Sequence, residues 1–97
     1  MSEKTSKKEV LHSASVTGTS SAIDIPYDTE FITVSVVGND GVWVEDTSGN
    51  KLLAVPAFYS GESSKKSFVA LPIAGMSIKV SLDSGTANVY VTRFFAN

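Results

Sequence analysis

The chain of 97 residues reads as all-β: a single small antiparallel β-sandwich or jelly roll of about eight strands behind a flexible N-terminal arm. Three observations point there. From Val10 onward apolar and polar residues alternate in short runs, the period of half-buried strands, and no helical period outlasts a turn. The runs are separated at regular spacing by clusters of Gly, Pro, Asn, Asp and Ser, the residues tight turns require. The length suits one modest core, since a domain of this size buries roughly 60–68% of the surface its unfolded chain exposes, with no room for two lobes around a cleft.

Residues 1–9 set Lys4, Lys7 and Lys8 against Glu3 and Glu9 and contain nothing apolar after Met1, so they cannot build core and read as the arm. Residues 10–97 form the sandwich domain. Its first strand, Val10 to Val16, ends at Thr17-Gly18-Thr19, and Ala22 to Ile25 ends at Pro26-Tyr27-Asp28, where proline fixes φ and withholds a ladder donor. Phe31 to Val37 runs to Asn39-Asp40-Gly41; Val42 to Asp46 and Leu52 to Val55 flank Ser48-Gly49-Asn50 as a hairpin. After a polar loop over Ser60 to Lys66 come Ser67 to Leu71, Ser77 to Leu82 and Ala87 to Phe95, parted by Ala74-Gly75 and Asp83-Ser84-Gly85.

The two faces of these strands differ. Alternation places Ile32, Val34, Val36, Val42, Val44, Ile78, Val80, Leu82, Val89 and Val91 on one side, the expected core. The opposite side carries Phe31 with Thr33 and Ser35, Trp43 with Glu45, and Tyr90 with Thr92 and Phe94. Large aromatics rimmed by hydroxyls and charge make an interaction surface, so Phe31, Trp43, Tyr90 and Phe94 are the candidate interface residues, covered by the second sheet or by a neighbouring subunit.

Composition narrows the function classes. Eight basic against ten acidic residues leave a formal charge of −2, which gives no reason to expect nucleic acid. The absence of cysteine removes disulfides, thiolate metal sites and a cysteine nucleophile. The start "MSEKTSKKEV" lacks the apolar run of a secretory signal, and no stretch approaches the roughly 20 apolar residues of a spanning helix, so synthesis in the cytoplasm without a signal peptide and no membrane partner are expected.

Candidate chemistry is sparse. Asp40, Glu45, Asp46 and Asn50 supply hard oxygens near two turns, but the spacing fits no EF-hand, and hairpin turns need these residues for local hydrogen bonds. His12 is the only histidine, too few for a nitrogen-ligated metal. Asp24, Asp28 and Glu30 lie around a turn and not across a cleft, as paired acid and base must. Lys65 and Lys66 suit a phosphate, an acidic partner or a solvated loop. No G-x-S-x-G, H-E-x-x-H or P-loop spacing occurs, so no enzyme, metal or cofactor is expected. Trp43 and Tyr90 suit sugar stacking as well as a protein interface, which leaves a carbohydrate-binding module as the rival, with Asp46 or Asn50 bonding hydroxyls.

The segments "VTGTSSAIDIPYDTEFITVSVVGNDGVWVED" and "FVALPIAGMSIKVSLDSGTANVYVTRF" carry a T-G-T-S start, a Pro turn, a short Gly41-Val42-Trp43-Val44 strand, an L-P-x-x-G segment at Leu71 to Gly75 and a closing V-Y-V-T strand at Val89 to Thr92. In this the chain, over about residues 14 to 95, resembles accessory virion proteins of tailed bacteriophages, of the capsid decoration or head-fibre type. The resemblance implies a non-enzymatic structural protein that assembles as a trimer on the capsid exterior against the major capsid protein, with Lys4, Lys7 and Lys8 on an anchoring arm. It also admits a fibre or receptor-binding role at the host surface. The "AFYSGESSKK" stretch is longer and more polar than that pattern.

Overall fold

Seven strands form in chain order: β1 (Ser6–Thr19), β2 (Ile23–Asp24), β3 (Phe31–Gly38), β4 (Val42–Asp46), β5 (Lys51–Val55), β6 (Val69–Leu71) and β7 (Ser77–Ala96). They belong to a computed structural model that describes residues 6–38, 40–57 and 69–96. Every pairing is antiparallel, and the fold is all-β as the alternation predicts. Among the described residues no helix is long and apolar enough to cross a membrane.

The spine is β7. Along one edge it pairs β1 over its second half and β2 over its first; along the other it pairs β3 and then β4. Outside these, β6 pairs β3 and β5 pairs β4. The sheet therefore has two four-stranded halves, β6-β3-β7-β1 and β5-β4-β7-β2, joined by one continuous strand. The halves curl around a single apolar cluster, and the trace measures 18 Å across its shortest axis, room for two layers about 10 Å apart.

The curl has a local cause. In β7, Ile78, Val80 and Leu82 point inward, Asp83 to Thr86 are exposed, and inward positions resume at Ala87, Val89 and Val91, so the alternation slips by one residue. Gly85 takes φ 77° there, a conformation side chains other than glycine rarely adopt. The register of β1 against β7 shifts at the same level, between Thr17 and Thr19, and β3 gives way to β4 across the Asp40-Gly41 turn. All three strands change course at this level, and the ladder is interrupted there, with no residue from Leu82 to Gly85 of β7 paired among the described residues.

That coincidence corrects the strand count. The sequence separates Ser77 to Leu82 from Ala87 to Phe95 at Asp83-Ser84-Gly85, but these residues bend one strand instead of ending it. A second correction concerns the arm. Residues 6–9 are strand, paired with Ala96 through Arg93, because backbone pairing needs no apolar side chain and Glu9 meets the Arg93 guanidinium across the ladder. The domain thus begins by Ser6; Lys4 lies outside the described residues, as do Lys65, Lys66 and most of "AFYSGESSKK".

All ten expected core residues are buried, joined by Val16, Ile23, Ile25, Val55 and Ala87. The β4–β5 hairpin closes on Asp46, whose Oδ1 accepts the backbone N–H groups of Ser48 and Asn50, each at 2.9 Å, while Oδ2 accepts Asn50 Nδ2 at 2.9 Å. These bonds, the Asn50 side chain foremost, hold the Asp46 carboxyl below its ordinary value.

Candidate functional site

The outer face of β6-β3-β7-β1 gathers most of the aromatic residues singled out above. Register sets Phe31 opposite Phe94, Thr33 opposite Thr92 and Ser35 opposite Tyr90; on the other side of β7, Lys8, Val10 and Ser13 face the same three positions. Phe31 and Phe94 stack with centroids 4.8 Å apart and planes 13° from parallel. Val10 is 61% exposed, Tyr90 39% and Phe31 36%. Large apolar groups at these exposures, flanked by hydroxyls and a single lysine in these rows, have the make-up of an interface core left open to solvent.

The expectation that the second sheet covers these rings does not hold. The curl faces the aliphatic side of each half inward and leaves Phe31, Tyr90 and Phe94 outside. Nor does Trp43 join them. It lies opposite Ser81 and Ala54 in the other half-sheet, so a two-ring platform of Trp43 with Tyr90 is not assembled. Asp46 and Asn50 are engaged with each other at the hairpin, away from a sugar-bonding role.

Trp43 has polar company of its own. Its indole N–H donates to Asp83 Oδ1 at 3.3 Å, and the Lys51 ammonium sits over the ring, 5.7 Å from its centroid. Lys51 reaches Glu45 at 3.6 Å, and Glu45, although on an outward position, is only 7% exposed and accepts the Ser81 hydroxyl. Beside the small Ala54, the indole borders an open cavity of about 510 Å³, rimmed by Asp40 and Gly41 at one bend, Asp83 and Ser84 at another, and Pro56. Gly41 is required there: a Cβ would stand 2.3 Å from the Val55 carbonyl oxygen.

The remaining candidates have structural roles. His12 donates through Nδ1 to the Val89 carbonyl at 3.0 Å, the only direction a carbonyl permits. Asp24 accepts the Ser77 hydroxyl. Asp28 binds Arg93 at 2.8 Å, and the Glu30 amide donates to the Phe94 carbonyl at 2.8 Å. Among the described residues no three of His, Asp and Glu come together as a metal site.

Arg93 is the residue the sequence reading passed over. It is 9% exposed, donates to Glu9 Oε1 at 2.6 Å and to Asp28 Oδ1 at 2.8 Å, and lies 3.8 Å from the Phe95 ring centre. Its pKa is raised, chiefly by the Glu9 hydrogen bond, so the cation is fixed. The signal was available: Val89, Val91 and Arg93 share one parity, which sends the guanidinium toward the core side, where it must find acids.

No protein-family model matches the chain, and no curated protein matches it.

Proposed function

We propose that this chain is a non-enzymatic structural protein of a phage virion, decorating or stabilising the capsid exterior as a β-sandwich oligomer, a trimer by its resemblance. The observation that carries the assembly half of this reading is the outward Phe31–Phe94 stack with Tyr90 and Val10 beside it on one sheet face. At about 25 cal/mol per Å² of apolar surface, covering such a patch is worth several kcal/mol before association costs. The virion half rests on the turn and strand motifs from Val16 to Phe94.

The experiment is sedimentation of the full chain with assembled capsids of the phage that encodes it. The wild-type chain is expected to travel with the shells, and a Phe31→Ser, Phe94→Ser double variant to fall behind. A wild-type chain that stays in the supernatant at saturating concentration overturns the virion reading, whatever its oligomeric state.

A further inference from the structure

One long strand edge in this fold has no partner. From Ser6 to Thr19, β1 gives one edge to β7, and among the described residues no strand takes the other. In an antiparallel ladder each residue turns its N–H and C=O to the same side and successive residues alternate, so over the regular stretch from His12 to Thr17 about three residues offer both groups to the open side. Native edges are guarded by lysine, proline, bulges or short length. Lys7, Lys8 and the register shift before His12 guard the first half of β1, but from His12 to Thr19 there is no lysine, arginine, acid or proline. The other open edges are short: five residues in β5, three in β6 and two in β2.

A cavity of about 430 Å³ runs along that open edge. Among the described residues it is lined only between Leu11 and Asp24 and by nothing from β7, so it lies on the side of β1 away from its partner strand. Ser15, Val16 and Thr17 all border it, although successive side chains leave a strand on opposite faces; the cavity therefore meets the strand edge-on. Leu11, Val16 and Ile23 give it an apolar floor continuous with the core. His12 lines it too: Nδ1 is spent on the Val89 carbonyl, and in the neutral ring that leaves Nε2 to accept a bond.

A row of free backbone donors and acceptors is satisfied by the backbone of another extended strand, and a cavity beside the row takes that strand's alternate side chains. Antiparallel pairing, the sense of every ladder in this fold, sets the C-terminal end of such a strand against Lys7 and Lys8, neither of which has an ion pair with a described residue. A carboxylate belongs at that end. Opposite His12 to Thr19 the complement is an uncharged run with apolar residues at every second place.

We propose that the open edge of β1 binds, by backbone pairing, an extended strand of a partner protein: an uncharged run of alternating apolar residues with a carboxylate at its C-terminal end. The contact does not use the Phe31–Phe94 stack and does not rest on the virion reading.

The probe is an acetylated, amidated heptapeptide of alternating threonine and valine that ends in glutamate, and amide hydrogen exchange of the full chain is read by NMR. In the chain alone, alternate amides between His12 and Thr17 are expected to exchange fast because they face the open side. The probe should slow them saturably by about tenfold or more and shift the His12 ring signals. A peptide with proline at its centre lacks a ladder donor and should lose the effect. Charge reversal by Lys7→Glu with Lys8→Glu, both exposed, should weaken the glutamate peptide by about fivefold and favour one ending in lysine, the scale of surface ion pairs. The proline comparison uses the wild-type chain, so it decides the matter even where the variant fails to fold. No saturation up to the probe's solubility, equal slowing by the proline peptide, unchanged preference in the folded variant, or protection confined to β5 or β6 overturns the proposal. So does protection of the same amides that rises with the concentration of the chain alone, which gives the edge to a second copy. No capsid enters the experiment, so its failure is distinct from failure of the sedimentation assay.

Discussion

Phe31 lies directly across the ladder from Phe94, and the two rings stack at 4.8 Å on a sheet face turned away from the core. Rings that pack each other on an outer face contribute little to holding the two halves together, since Ile32 and Val91 fill the interior behind them. The stack is ordered within the single chain, and on the proposed assembly reading ordering at an interface costs less when the side chains are already fixed. Replacing both phenylalanines by serine should therefore leave the β-sheet circular dichroism intact. It should also weaken self-association by about tenfold or more, the scale of a lost aromatic anchor, as read by dilution in analytical ultracentrifugation.

The interior behaves differently. Ile78 is fully buried where β7 meets β2 and β4, so Ile78→Ala should cost about 2–5 kcal/mol in urea denaturation, a large part of a small domain's stability. Leu52, half exposed beside the register shift of β5 against β4, should change stability by no more than about 0.5 kcal/mol when cut to alanine.

Thr29 sits buried at 7% exposure, and its Oγ1 has no hydrogen-bond partner among the described residues. Its amide closes the turn onto the Pro26 carbonyl at 3.2 Å, so the backbone is satisfied while the hydroxyl is not. Thr29→Val keeps the shape and removes the orphan group, and should raise stability by about 1 kcal/mol or more in the same denaturation assay.

Asp46 gives the domain an acid-sensitive turn. Its folded pKa is lowered from an ordinary 3.8, first by the Asn50 side chain and then by the Asn50 backbone amide, with burial acting against them. The sign follows from that direction: the stabilisation is complete above the unfolded value and is lost as pH falls through the lower folded value. The melting temperature of the wild-type chain should fall more steeply below pH 3.8 than that of Asp46→Asn, with the two curves running parallel above the carboxylate range.

Arg93 ties the start of β1 and the loop before β3 to the end of β7 through Glu9 and Asp28. Removing the charge with Arg93→Met leaves both acids without their cation, so amide hydrogen exchange at Lys7 and Lys8 should speed up while Val34 and Val36 stay protected. Equal protection at Lys7 in variant and wild type would show that backbone pairing alone holds this end.

The alternation made the interior legible: Ile32, Val34 and Val36 on one strand and Val89 and Val91 on another were assignable by parity, and all are buried. The hairpin at Asp46 to Asn50 was equally plain, because its Asp, Ser, Gly and Asn each have a turn role. What parity could not show is which outer faces are neighbours. Trp43 and Tyr90 have the same local pattern, yet the bend at Asp83 to Thr86 places them in different half-sheets, and a bend marked by one Gly85 reads like a turn. The polar residues 6–9 misled for a related reason: strand pairing draws on the backbone, which composition does not report. The cavity at Trp43 was hidden because it depends on small neighbours, Ala54 and Ser84, supplied by two other strands.

The central claim is that the Phe31–Phe94 face joins copies of this chain, and multi-angle light scattering of the full chain across a concentration series tests it most directly. The account predicts a mass of three chains of 10.3 kDa that falls toward one in the Phe31→Ser, Phe94→Ser variant. A wild-type mass of 10.3 kDa at every concentration would contradict it.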